Sequence, residues 1–264
     1  MKSKGFKSNH LLFFSLKKLI FRINLNFRKY IEFKKGSIPV VLSCPHGGFL
    51  KPPFIPNKLK GSQLADKNKY LISKRIIQEL NRRKTRPYYI LSKIHRSKID
   101  FNRPARSHDA YNHESIDAKK IHEYYHQIII EFYEESVSLY NRCLFIDLHG
   151  FTKPHIDYPD IIFGNIFGKT LKIRNDSKAK DLVEYWGFSD MVQQFSRHFT
   201  LDDGLGITNF NLAYSGGYIT HQFYKKNKVN AFQLEVAKYI RENRELTKKF
   251  VEIFVENIIQ SLAK

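Results

Sequence analysis

Three short segments of this 264-residue chain hold residue types that do metal and amide chemistry. They are Cys44-Pro45-His46-Gly47-Gly48, Asp100-Phe101-Asn102-Arg103 and Asp147-Leu148-His149-Gly150. Each follows a strand-like apolar run: Ile38 to Leu42, Tyr88 to Leu91, and Leu144 to Ile146. The repeated layout puts two histidines, two carboxylates and an arginine at strand ends of one sheet, where open α/β folds place their ligands. A hydrolytic zinc takes three protein ligands and keeps one position for water. His46 and His149, each ending a strand in a Gly-containing turn, are the natural nitrogen ligands. The third ligand should be a carboxylate. Phe49 stands where a His-x-x-Glu motif would put one. Asp66, at the predicted start of the first long helix, is the best remaining choice, with a helix N-cap as its competing reading.

A metal-bound His usually donates its other N–H to a carboxylate or carbonyl. Asp100 is placed to orient His46 across adjacent strand ends. Asp147 precedes His149 by two, which puts both side chains on one side of a strand. Arg103 can grip a carboxylate with two parallel hydrogen bonds, and Asn102 can share that anion. Arg96 is a second cation for polarising a scissile carbonyl or stabilising an oxyanion. Glu235 sits inside the apolar run Phe232-Gln233-Leu234-Glu235-Val236. A buried carboxylate is costly unless paired or functional, and its raised pKa suits a general base. An edge-strand Glu facing solvent is the competing reading. Upstream, Ser215 to Thr220 is a Gly-rich turn, read either as a flap carrying Tyr218 to substrate or as a hairpin connection.

The elements that must position these groups follow from pattern. Short strands are expected at Tyr30–Phe33, Pro39–Leu42, Tyr88–Leu91, Cys143–Leu148, Ile161–Gly164 and Asn230–Val236. Helical spacing marks 66–80, 116–140, 182–195 and 244–262. Phe49 to Gly61, with three prolines, reads as an ordered loop. Alternating strands and helices argue for one α/β domain over 29–264 with a largely parallel or mixed sheet. Residues 1–28 form a basic N-terminal extension, helical or disordered. Within it, 11–27 could lie as an amphipathic helix on a membrane or, as favoured here, pack on the body or be disordered.

Composition bounds the reading further. Hydrophobic residues make up 42% and aromatics 14%, which excludes a disordered chain. With only two cysteines, Cys44 and Cys143, a disulfide scaffold and a Cys-rich zinc site are both excluded, and a reducing, cytoplasmic setting is expected. The net charge of +20, from 45 Lys+Arg against 25 Asp+Glu, admits nucleic acid, a membrane surface or an acidic substrate. The basic residues are spread through a Lys-, Asn- and Ile-rich chain, so compositional bias is favoured over a nucleic-acid surface. No run reaches the roughly 18 apolar residues of a spanning helix.

The ordered set Pro45-His46-Gly47-Gly48, Leu64-Ala65-Asp66, His95-Arg96 with Asp100 to Pro104, Asp147 to Gly150, Gly216 to Thr220 and Gln233-Leu234-Glu235 resembles the N-formylglutamate amidohydrolase family. That family belongs with the zinc carboxypeptidase-like hydrolases. The resemblance spans about residues 30 to 240 of this chain. It implies a three-layer α/β/α sandwich with a mixed, mostly parallel sheet and one zinc at the strand ends. It further implies His46 and His149 as ligands, Asn102 and Arg103 on a substrate carboxylate, and Glu235 as general base. The expected activity is hydrolysis of an amide next to a carboxylate, in an N-acyl amino acid or small peptide. The rival readings are a zinc carboxypeptidase or cell-wall amidase, an esterase or deacetylase at the same site, and a basic binding module whose catalysis has lapsed.

Overall fold

The computed structural model describes residues 27–175 and 184–264. A seven-stranded sheet runs in the order β1-β3-β2-β4-β9-β5-β8. Its strands are β1 (Ile31–Lys34), β2 (Val40–Cys44), β3 (Tyr88–Ser92), β4 (Cys143–Phe151), β5 (Ile161–Gly164), β8 (Leu201–Asp202) and β9 (Val229–Ala237). β3, β2, β4 and β9 run parallel to one another, β1 pairs antiparallel to β3, β5 pairs antiparallel to β9, and β8 lies parallel to β5. A two-stranded ribbon, β6 (Arg174–Asn175) with β7 (Glu184–Tyr185), stands apart. The helices are α1 (Lys69–Arg82), α2 (Ile116–Tyr140), α3 (Ser189–Ser196), α4 (Tyr218–His221), α5 (Lys238–Glu242) and α6 (Arg244–Leu262).

β2 and β9 are buried at every position, as expected of strands covered on both faces of the sheet. Strand alternation then sorts side chains to two faces. From β4, Leu144, Ile146 and Leu148 enter the core under α1, α3 and α6, while Cys143 and Phe145 enter the core under α2. From β9, Phe232, Leu234 and Val236 take the first core, and Val229 and Ala231 the second. The α2 side of these two strands therefore continues, toward their C-terminal ends, as Asp147 and His149 on β4 and Gln233 and Glu235 on β9. The reactive groups lie where the apolar lining of the α2 layer stops.

The ends of the long helices are set by caps. Ser115 accepts from Ala118 N at the start of α2, and Asn141 in the left-handed region closes it. Asn243 accepts from Glu245 and Leu246 N at the start of α6. Two expected elements differ. The helix expected over 182–195 begins only at Ser189, because Glu184–Tyr185 is extended and Gly187, at φ 73°, breaks the helical path. A Cβ at Gly187 would lie 2.6 Å from Leu144 Cδ2, so the turn is packed against the sheet. The Gly-rich turn at 215–220 is no hairpin: its second half forms the short helix α4. The reading of residues 1–28 falls outside the described residues except for Phe27 and Arg28.

Candidate active site

His46 follows β2 and His149 lies near the end of β4, and their rings meet edge to face with centroids 4.7 Å apart. His46 Nε2 donates to Asp100 Oδ1 at 2.6 Å, and His149 Nε2 donates to Asp147 Oδ2 at 2.8 Å. Those bonds turn both Nδ1 atoms toward one carboxylate. Asp66 Oδ2 lies 3.8 Å from His46 Nδ1 and 3.6 Å from His149 Nδ1. Asp66 is not the helix cap. Asn68 holds that position, and the Asp66 carboxylate instead accepts from Gly150 N at 2.9 Å. All three residues are buried, and their donor atoms lie within 4.8 Å of one another.

This donor set fits a tetrahedral zinc. Ligands at about 2.0–2.1 Å in tetrahedral geometry stand about 3.3 Å apart, close to the Nδ1–Oδ2 separations here. Both histidines already have the carboxylate partners that hold a ligating imidazole in orientation. The charges agree. Burial works against a charged His149, but Asp147 and Asp66 outweigh it and raise its pKa to about 10. Burial would likewise raise Asp66, but His149 and His46 hold it down at about 2. Burial holds His46 below the ordinary imidazole value, so it offers a neutral ring, and the carboxylates beside His149 favour a positive charge that a divalent cation can supply in place of a proton.

Glu235 is the register partner of His149 on the neighbouring strand and is buried. Gln233 Nε2 donates to its Oε1 at 2.7 Å, while Oε2 has no partner among the described residues. Burial, reinforced by Asp66, pushes the Glu235 carboxyl up to about 7 although His149 draws it down. The edge-strand alternative for Glu235 is thus excluded by its place between β4 and β5.

Asp100 does more than orient His46: it accepts from Arg96 Nε at 2.9 Å and from Asn102 N at 3.0 Å. Its carboxyl stays well below the usual range because His46 and Arg96 outweigh the cost of burial. Arg96, Asn102 and Arg103 all line a cleft of about 540 Å³ that also contains His46, Asp66, His149 and Glu235. Within it, both ends of the Asn102 amide are engaged. Its Oδ1 accepts from Ile219 N at 2.9 Å and its Nδ2 donates to Gln233 Oε1 at 3.3 Å. Tyr218 is not among the cleft-lining residues. Its ring packs on His126 at 5.2 Å, and Tyr214 lines the cleft instead.

Several contributing residues escaped the sequence reading. His122 and His126, one turn apart on α2, donate from Nε2 to the carbonyls of Arg103 and Phe101, and so fix the loop that carries Asn102. Arg241 donates to the carbonyls of Val236 at 2.9 Å, Phe151 at 3.0 Å and Lys67, tying the ends of β9 and β4 to the Asp66 segment. Lys69 is wholly buried behind the site. A signal for it existed, since it falls three and four residues before Ile72 and Ser73 on the buried stripe of α1.

Comparison with known proteins now bears on this site. Residues 114–240 match the family model described as N-formylglutamate amidohydrolase. The resemblance read from the motifs is borne out. The matched residues include Asp147, His149 and Glu235, while His46, Asp66 and the Asp100 loop precede them. The fold agrees along most of the chain. The N-formylglutamate amidohydrolase of Ralstonia eutropha JMP134 is 14% identical, with a TM-score of 0.61 over 89% of this chain and 98% of that one. A gene product of Agrobacterium tumefaciens is 13% identical, with a TM-score of 0.60 over 89% of this chain and 94% of that one. At such identities the likeness is one of fold. No curated protein matches the sequence.

Proposed function

We propose that residues 29–264 form a zinc-dependent amidohydrolase that cleaves an amide bond next to a carboxylate, as in an N-acyl amino acid or small peptide. The observation that carries this reading is the convergence of His46 Nδ1, His149 Nδ1 and Asp66 Oδ2, backed by Asp100 and Asp147, beside a buried Glu235 with one unpartnered oxygen. The family match supports hydrolysis of an amide.

His46, Asp66 and His149 would hold the metal, which when bound lowers the pKa of water and polarises a carbonyl. Glu235 Oε2 takes the proton of the attacking water and passes it to the leaving nitrogen, a role suited to a carboxyl raised to about 7. Gln233 fixes the other Glu235 oxygen, so the free one is aimed. Arg96, braced by Asp100, presents its remaining N–H groups to the oxyanion. Arg103, whose guanidinium has a single carbonyl partner among the described residues, holds the substrate carboxylate. Cys44 and Cys143, both free and buried, suit a reducing, cytoplasmic setting.

The test is hydrolysis of N-formyl and N-acetyl amino acids by the zinc-loaded protein, with and without chelator. Glu235→Gln should keep zinc and lose about 10²–10⁴-fold in kcat. Hydrolysis insensitive to chelator, or full activity in Glu235→Gln, sinks the mechanism.

A further inference from the structure

The cleft carries, on two sides, cations that make no direct ion pair among the described residues. Of its five lysines and arginines, Arg96 is paired with Asp100 and Lys67 with Glu242. Arg103, Lys238 and Arg241 are in no ion pair among the described residues. Arg103 bonds only to the carbonyl of Asn102, and Arg241 only to backbone carbonyls. Lys238 is exposed at the end of β9 and lines the cleft.

These cations belong to opposite layers of the sandwich. Arg103 sits on the loop tied to α2 through His122. Lys238 and Arg241 sit on α5, which packs against α6 in the other layer. The His46, Asp66 and His149 cluster lies in the same cleft as both groups. A single anion held at Arg103 leaves the exposed Lys238, in the other layer, without a direct ion pair among the described residues. A volume of about 540 Å³ is also in the range that holds a drug-sized ligand, and so has room for an acyl group well beyond formyl.

Resting on the amidohydrolase reading above, we infer that the substrate is an amide flanked by anions on both sides: a carboxylate on the amine half held by Arg103, and a second anionic group on the acyl half held by Lys238. The substrate class is the amide of a dicarboxylic acid with an amino acid, such as a peptide bearing an acidic residue on its acyl side.

The test compares N-succinyl-glutamate with N-butyryl-glutamate, which differ in the terminal acyl carboxylate, using zinc-loaded full-length protein and N-formyl-glutamate as reference. The succinyl amide should be preferred in kcat/KM by about fivefold, the size of one partly shielded charge pair. Lys238→Glu should abolish or reverse that ratio, Lys238→Gln should reduce it, and raised salt should shrink it in the wild type. Equal use of the two amides, or a ratio untouched by Lys238→Glu and by salt, overturns the inference. Cleavage of N-formyl-glutamate alone overturns it too, while leaving the amidohydrolase reading intact. If none of the three is cleaved, that reading falls and the inference falls with it.

Discussion

Asp100 and Asp147 look equivalent as partners of the two histidines, but the structure predicts different consequences for their loss. Asp147 serves His149 alone, since Oδ2 accepts from His149 Nε2 and Oδ1 has no partner among the described residues. Asp100 serves three donors, accepting from His46 Nε2, Arg96 Nε and Asn102 N, and also pairs with the buried Lys58 ammonium at 3.9 Å. Asp→Asn keeps the shape and one acceptor in each case while removing the charge. Loss of such an outer partner costs about 10–100-fold in metal affinity, equivalent to about 1.4–2.7 kcal/mol. Both variants should show that loss when zinc is titrated in competition with a chromogenic chelator. They should part when zinc is saturating. Asp147→Asn should then recover a kcat within about threefold of wild type, since its damage is confined to the ligand. Asp100→Asn also weakens a charge-assisted bond to Arg96, worth about 1.5–3 kcal/mol, and should stay at least about tenfold low in kcat. Identical behaviour of the two variants at saturating zinc, or unchanged zinc affinity in both, would refute the reasoning.

Two further predictions concern the scaffold. A Cβ at Gly217 would lie 1.9 Å from Asn102 Nδ2 and 2.4 Å from its Oδ1, so Gly217→Ala must expel the Asn102 amide from its bonds with Ile219 and Gln233. Chemical denaturation should show a loss of about 2–4 kcal/mol, the cost of orphaning two or three buried polar groups, and a loss below about 0.5 kcal/mol would mean that the segment slides freely. Burial holds His122 at about 4 and His126 at about 3, below the ordinary imidazole value. As pH falls below about 6.5 the unfolded chain therefore binds these protons first, and stability is lost down to the folded values, by up to about 2 kcal/mol for each histidine at pH 5. Urea denaturation of wild type and His122→Phe at pH 7 and pH 5 isolates the term. An equal drop in both proteins would remove His122 from it.

The legible parts of this chain are those set by local pattern. β2, β4 and β9 announced themselves as apolar runs because parallel strands are buried on both faces. α2 and α6 were bounded correctly because capping residues, Ser115 and Asn243, coincide with the ends of apolar periodicity. The region before α3 misled because Trp186 and Phe188 continue a helical spacing that Gly187 interrupts. His46, His149 and Asp147 were visible as strand-end residues. What Asn102 and Tyr218 touch was not, because it depends on how α4 lands on the loop after β3. Arg241 was likewise hidden: its partners are the carbonyls of three segments that only tertiary packing brings together.

The claim on which all else depends is that His46, Asp66 and His149 hold one metal ion. Calorimetric titration of the metal-free protein with Zn²⁺ tests it most directly. The wild type should take up one tight equivalent, and Asp66→Ala, in which one of three ligands is gone, should lose at least about tenfold in affinity. No stoichiometric binding by the wild type, or unchanged binding by Asp66→Ala, would contradict it.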